Sequence, residues 1–233
     1  MTITDGLKDL LQSRGAAMVG FASLNDLPSE ARYNMPIGIS IAVALNPMVI
    51  AGIQSGPTKQ YCKEYESANN LLNSLGTTAV NFLHENHYKA KLLTPTTEDF
   101  DTTTLSTALP HKTTATLAGL GWIGKCALLI TKSFGSAVRL TTVLTDAEAT
   151  IGDPINVSRC GSCSDCVEVC PGHASSGKNW QPGLQRDSFF NAHACRQTAR
   201  EMAEKKAGTT HTICGMCIAV CPWTLKYIRT SCT

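Results

Sequence analysis

Apolar residues recur along this chain with two different periods, and the changes between them outline its elements. In residues 1–14, Leu7, Leu10 and Leu11 stand among polar positions at three- and four-residue steps, which predicts an amphipathic helix. The same pattern does not read as a secretory signal or a twin-arginine leader. Residues 17–22 are a short apolar run, expected as a strand. Residues 37–45 are apolar and β-branched, as for a strand buried on both faces. The longer apolar stretch 37–53 is broken by Asn46 and Pro47 and is too short to span a bilayer. Tyr61, Tyr65, Ala68, Leu72, Leu75, Ala79 and Phe82 then mark one long amphipathic helix, its stripe expected in a core. Residues 94–107, rich in Thr with Asp and Pro, read as a loop. Residues 127–130 and 137–144 read as two strands joined at 133–136 in a hairpin. Beyond Asp153 and Pro154 the strand signals fade and the chain becomes rich in Cys and Gly. The pattern predicts an α+β chain in two parts: an α/β domain over 1–150 and a cysteine-rich domain over 151–233.

Composition narrows this picture a little. The chain has 233 residues, 43% of them hydrophobic and 16% charged, which suits a packed core and argues against disorder. A net charge of +2 and the lack of a basic stripe make a nucleic-acid partner unexpected. No membrane association is expected either. A cytoplasmic, reducing location is the expectation, where thiols stay free to bind metal.

The cysteines change the picture most. Seven of the eleven fall into two short runs. Cys160, Cys163, Cys166 and Cys170, followed by Pro171, spell Cys-x-x-Cys-x-x-Cys-x-x-x-Cys-Pro, the two-cluster ferredoxin pattern. Cys214, Cys217 and Cys221, followed by Pro222, repeat its ending with one cysteine fewer. In such a pattern the cysteine before the proline ligates the other cluster. Cluster one then takes Cys160, Cys163 and Cys166 with Cys221. Cluster two takes Cys214, Cys217 and Cys170 and lacks a fourth ligand, for which Cys195, between the runs, is the natural candidate. Zinc is the rival, because paired Cys-x-x-Cys sites also bind it. It accounts for neither the third cysteine nor the Cys-Pro endings. A disulfide framework is the remaining alternative.

A second motif carries a family resemblance. Residues 118–125 read Ala-Gly-Leu-Gly-Trp-Ile-Gly-Lys, which closely resembles a signature of epoxyqueuosine reductases. Phe134, Gly135 and Ser136 before an apolar strand ending in Thr145 and Asp146, the cysteine runs, the isolated Cys195 and the closing Cys-Pro-Trp also match that family. The resemblance covers about residues 105–225 well. It implies a nitroreductase-like α/β domain holding cobalamin, followed by a ferredoxin-like domain with two 4Fe-4S clusters that feed single electrons to cobalt, and a relationship to reductive dehalogenases. It also implies Cys195 as the ligand completing cluster two. Gly119, Gly121, Trp122, Ile123, Gly124, Lys125 and Cys126 become the candidate cofactor-binding residues, the glycines allowing close backbone approach to a macrocycle.

Two departures from the family stand out. Its proton-donating acid aligns with Leu105, and Asp101 lies four residues early. The chain stops at Thr233, where the family continues into a helical-repeat segment that helps bind transfer RNA. His111 is the candidate catalytic proton donor in place of the acid. Cys62 and Cys232 read as free thiols. The expected function is a reductase passing single electrons from two clusters to a corrinoid and on to another acceptor, not epoxyqueuosine in tRNA. The other reading is an electron-transfer protein that reduces or activates a partner's cofactor. Either needs a low-potential electron donor and a small-molecule or corrinoid-protein acceptor.

Overall fold

A computed structural model describes residues 3–96 and 100–231. They fall into two compact units that interleave along the chain. Unit one comprises residues 1–44, 68–120 and 139–155, and unit two comprises 45–67, 121–138 and 156–233. The boundary drawn from composition near residue 150 therefore marks only the last of several crossings. Residues 45–67 and 121–138 group with the cysteine-rich segment instead of with the rest of the first 150.

Unit one is built on a four-stranded sheet. Its strands are β1 (Met18–Ser23), β2 (Ile37–Ala44), β3 (Ala90–Leu93) and β6 (Val138–Thr145), in the order β1-β2-β6-β3. β1 pairs antiparallel with β2, Met18 opposite Ala42, and β3 pairs antiparallel with β6, Leu93 opposite Thr142. The continuous apolar run of β2 is buried from Gly38 to Val43, as expected of a central strand. The C-terminal half of β6 buries threonines as well, and two of their hydroxyls are satisfied across the ladder. Thr141 donates to the Leu93 carbonyl at 2.6 Å and Thr145 to that of Lys89 at 2.7 Å. Helix α1 (Ile3–Ser13) buries Leu7 and Leu11 and packs on β1. Helix α4 (His111–Leu117) packs on β1 and β2. Ala22, Leu24, Leu109, Ala118 and Leu144 form an apolar cluster there.

The long helix α3 (Lys59–Glu85) has most of the predicted stripe, with Tyr65 and Phe82 only half-buried. Tyr61, Ala68, Leu72, Leu75 and Ala79 are buried, with Leu83 in register. Its first turns belong to unit two and the remainder to unit one.

Unit two has little regular structure. It contains α2 (Pro47–Ala51), the two-residue strands β4 (Trp122–Ile123) and β5 (Leu129–Ile130), and helices α5 (Asp165–Glu168), α6 (Ala192–Ala207), α7 (Met216–Ala219) and α8 (Pro222–Ser231). Asn46 ends β2 and caps α2, its side chain accepting from the Met48 and Val49 amides, with Pro47 at the first helical position. Asn191 caps the start of α6, and Gly208, at φ 66°, ends it. α2 packs on α7 and α8, and α5 packs on α7.

The expected hairpin is not formed. Residues 127–130 pair as β5 with β4, Trp122 opposite Ile130, while the second predicted strand becomes β6 in the other sheet. β6 lies between β2 and β3, so both its hydrogen-bonding edges are taken and none is left for β5. The intervening turn closes on itself, with Thr131 and Gly135 exchanging backbone hydrogen bonds. Within the predicted loop, Asp101 bridges to Ser106, and residues 97–99 lie outside the described residues.

Candidate metal centres and the glycine turn

The cysteine runs form a structural repeat. Cys166 is the second residue of α5 and Cys217 the second residue of α7. Each four-residue helix follows a cysteine-bearing turn, and each is followed by a Cys-Pro pair, Cys170 with Pro171 and Cys221 with Pro222. A proline cannot donate to a continuing helix, so each short helix ends there, and Pro222 starts α8. Local sequence thus fixes the turns on which the thiols sit.

Tertiary structure then pairs the runs. All ten described cysteines are free thiols. Cys221 interacts electrostatically with Cys160, and Cys163 with Cys166. Cys195, on α6, interacts with both Cys170 and Cys214. Burial, with repulsion from Cys170 and Cys214, pushes the Cys195 thiol up to about 11. Burial likewise raises Cys163, Cys214 and Cys221. In the metal-free protein these thiols hold their protons at neutral pH, and metal loading must release them. The Ala174 amide donates to Cys170 Sγ at 3.4 Å, a hydrogen bond suited to a ligating thiolate. Among the described residues no three His, Cys, Asp or Glu side chains close on a single-ion site. Cys160 thus neighbours Cys221, and Cys195 neighbours Cys170 and Cys214. The donor set fits two cubanes.

The glycine turn is packed closely against the chain's own backbone. A Cβ at Gly121 would collide with the backbone carbonyl of Ile130, across the β4–β5 ladder. One at Gly124 would meet the Ile130 side chain at 2.8 Å. Gly119, at φ 74°, has the Asp153 carbonyl 2.6 Å from where its Cβ would stand. The glycines are required by the protein's own packing at these three positions. Trp122, Ile123, Lys125 and Cys126 are all buried. Lys125 Nζ donates to the Cys163 carbonyl at 2.8 Å, and its own carbonyl accepts from Ser175 Oγ at 2.6 Å. The Cys126 thiol lies within hydrogen-bonding reach of both Cys166 and Cys217. Of the residues that the resemblance assigns to cofactor binding, Lys125 and Cys126 lie against the cysteine turns.

The proton-donor candidates are also otherwise engaged. His111 shares a hydrogen bond with Thr142 Oγ1 at 2.9 Å through Nδ1, and its Nε2 donates to the Thr94 carbonyl at 3.0 Å. Burial, reinforced by nearby Arg139 and only partly offset by the Thr94 hydrogen bond, pushes it down to about 4. A histidine neutral at pH 7 with both nitrogens occupied ties α4 to β6. The Asp101 carboxylate accepts from the Thr103 and Thr104 amides at 2.7 and 3.0 Å, which holds it below the usual range as a turn cap. Leu105 stands in the left-handed region, φ 53°, in that same turn. Cys62 is a buried thiol on α3, and Cys232 lies outside the described residues.

With this geometry established, comparison with known proteins is informative. Residues 159–224 match the 4Fe-4S double cluster binding domain. The epoxyqueuosine reductase of Lactococcus garvieae (strain Lg2) is 33% identical over 123 residues, 50% of this chain and 32% of that protein. The chain spans about a third of the length of the curated relatives it matches. Two solved structures share the fold. An epoxyqueuosine reductase solved with an epoxyqueuosine-modified tRNA-Tyr stem loop gives a TM-score of 0.64 at 18% identity, over 95% of this chain and 65% of that one. A reductive dehalogenase described with a mechanism for B12-dependent dehalogenation gives 0.71 at 15%, over 97% of this chain and 33% of that one. The chain is similar in sequence, over about half its length, to epoxyqueuosine reductases, carries a match to a double 4Fe-4S domain, and shares its fold with a reductive dehalogenase. Among the described residues no helix is long and apolar enough to cross a membrane.

Proposed function

From that kinship we propose that the protein is a one-electron reductase carrying two 4Fe-4S clusters. Cys160, Cys163, Cys166 and Cys221 hold one, and Cys170, Cys195, Cys214 and Cys217 hold the other. The observation that carries this reading is the neighbourhood of Cys195 with Cys170 and Cys214, which supplies the eighth thiolate the two runs lack. When bound, such clusters supply single-electron carriage. The chain's own part is to hold them: the proline-terminated helices aim the thiolates, and amides such as that of Ala174 donate to them. Unit one is proposed to be the nitroreductase-like part, and a low-potential donor protein is the proposed source of electrons.

The acceptor is proposed to be a corrinoid, by kinship with the B12-dependent relatives, or a small molecule. The close packing of the glycine turn on Ile130 and Asp153 is compatible with a second reading, in which the protein passes electrons to a cofactor held by a partner. Epoxyqueuosine in tRNA is not the proposed substrate. The family's acid is replaced by Leu105, and His111 and Asp101 are committed to structure. The test is anaerobic purification with iron, sulfide and zinc analysis, then cobalamin titration followed spectrally. About eight irons and eight sulfides per chain are expected. Stoichiometric zinc with little iron refutes the cluster assignment. A corrinoid spectral change selects the first acceptor, and full clusters without one select the second reading.

A further inference from the structure

Three buried polar groups lie in the segment 121–126, and none is accounted for by a corrinoid. Trp122 is fully buried, and its indole N–H has no hydrogen-bond partner. A buried donor without an acceptor is costly, so its persistence calls for an acceptor that the polypeptide does not supply. The surroundings of the ring indicate where that acceptor is. Trp223 meets Trp122 edge-on, with centroids 5.2 Å apart, and the Arg159 guanidinium lies 5.7 Å from its centroid. Arg159 immediately precedes Cys160, and Trp223 stands two residues after Cys221. The orphan N–H is therefore bracketed by the chain on either side of two ligands of the first cluster. Lys125 is 6% exposed, bonds to the Cys163 carbonyl, and places its charge where it acts on Cys166. Those are the other two ligands of the same cluster. Cys126 adds a thiol between Cys166 and Cys217, one ligand from each cluster.

We infer that residues 122–126 form a donor cradle for the first cluster, with the Trp122 N–H hydrogen-bonding to its sulfur and the Lys125 ammonium beside it, holding it at a higher reduction potential than the second. The inference rests on the two-cluster reading above. Reduction adds negative charge, which a hydrogen-bond donor and a buried cation both stabilise. At the second cluster the Ala174 amide donates to Cys170 Sγ at 3.4 Å, but among the described residues no buried cation stands beside it. Lys206 acts on Cys214 and is solvent-exposed. Asp165, which opposes Lys125 at Cys163, is likewise exposed and screened. The electron rests on the first cluster.

The experiment is an anaerobic redox titration of the cluster-loaded protein, monitored by EPR, with iron content measured on each sample. Wild type is expected to show two separable potentials. Trp122→Phe, which keeps the ring and removes the N–H, and Lys125→Gln should each lower only the upper one. The expected change is about tenfold in the reduced-to-oxidised ratio, or 59 mV for one electron. Lys125→Arg should restore the wild-type value. Cys126→Ala should lower both potentials, and Cys126→Ser, which keeps a donor, should lower them less. Unmoved potentials in Trp122→Phe and Lys125→Gln at full iron content overturn the cradle and leave the cluster reading intact. A wild type that binds no iron overturns the reading beneath it. If Lys125→Gln loses its iron, Trp122→Phe and Lys125→Arg decide the question alone.

Discussion

The two units are held together by different physics. Unit one closes an apolar core around a four-stranded sheet, and the buried Thr141 and Thr145 hydroxyls are paired across it. Unit two has a two-residue ladder, helices of four residues at α5 and α7, and half-buried thiols where a core would otherwise be. Helices that short do not persist on their own propensity. The comparison teaches that unit one derives its order from burial of side chains, while unit two needs its ligand set occupied.

The strongest way to break this comparison is to remove the metal. Oxidative cluster loss with chelation should strip hydrogen-exchange protection from residues 156–231 by about a hundredfold or more, while β2 and β6 keep theirs. Equal loss in both units, read by exchange mass spectrometry, would falsify the division.

Ligand substitution sharpens it. Cys195→Ala should cut iron to about half by removing one of the second cluster's four thiolates, whereas Cys62→Ala should retain the full content. Intact iron in the Cys195 variant would remove that residue from the ligand set.

Next in size is the glycine turn. Gly121→Ala should destabilise unit two by about 2–4 kcal/mol, because its Cβ meets the Ile130 carbonyl. This should appear in denaturant unfolding without added corrinoid. Wild-type stability in this variant would remove the Ile130 contact as the reason for the glycine.

The smallest effect concerns unit one. An unfolded histidine takes up its proton near 6.5, but folded His111 does so only near 4. The folded state is thus favoured above 6.5, and that contribution is lost as pH falls from 6.5 to 4. The loss is at most about 2 kcal/mol after discounting for partial exposure. His111→Gln should flatten the stability profile across this window, and an unchanged profile would assign the acid sensitivity elsewhere.

Much of this protein was determined by sequence alone. The spacings of Cys160, Cys163, Cys166 and Cys170 and of Cys214, Cys217 and Cys221 are local quantities, set by turns and by the prolines that follow. So are the α3 stripe and the doubly buried β2, because periodicity is a property of consecutive residues. Pairing is not local. Two adjacent strand signals could not reveal that β6 has both edges occupied, so β5 was assigned the wrong partner. Glycines 119, 121 and 124 signalled a close approach, but only the folded chain shows that Asp153 and Ile130 come that near. His111 carried the chemistry of a proton donor until Thr94 and Thr142 took both its nitrogens. Sequence fixes which groups a protein can use. The tertiary structure decides which of them remain free, because hydrogen bonds and excluded volume are settled by residues far apart in the chain.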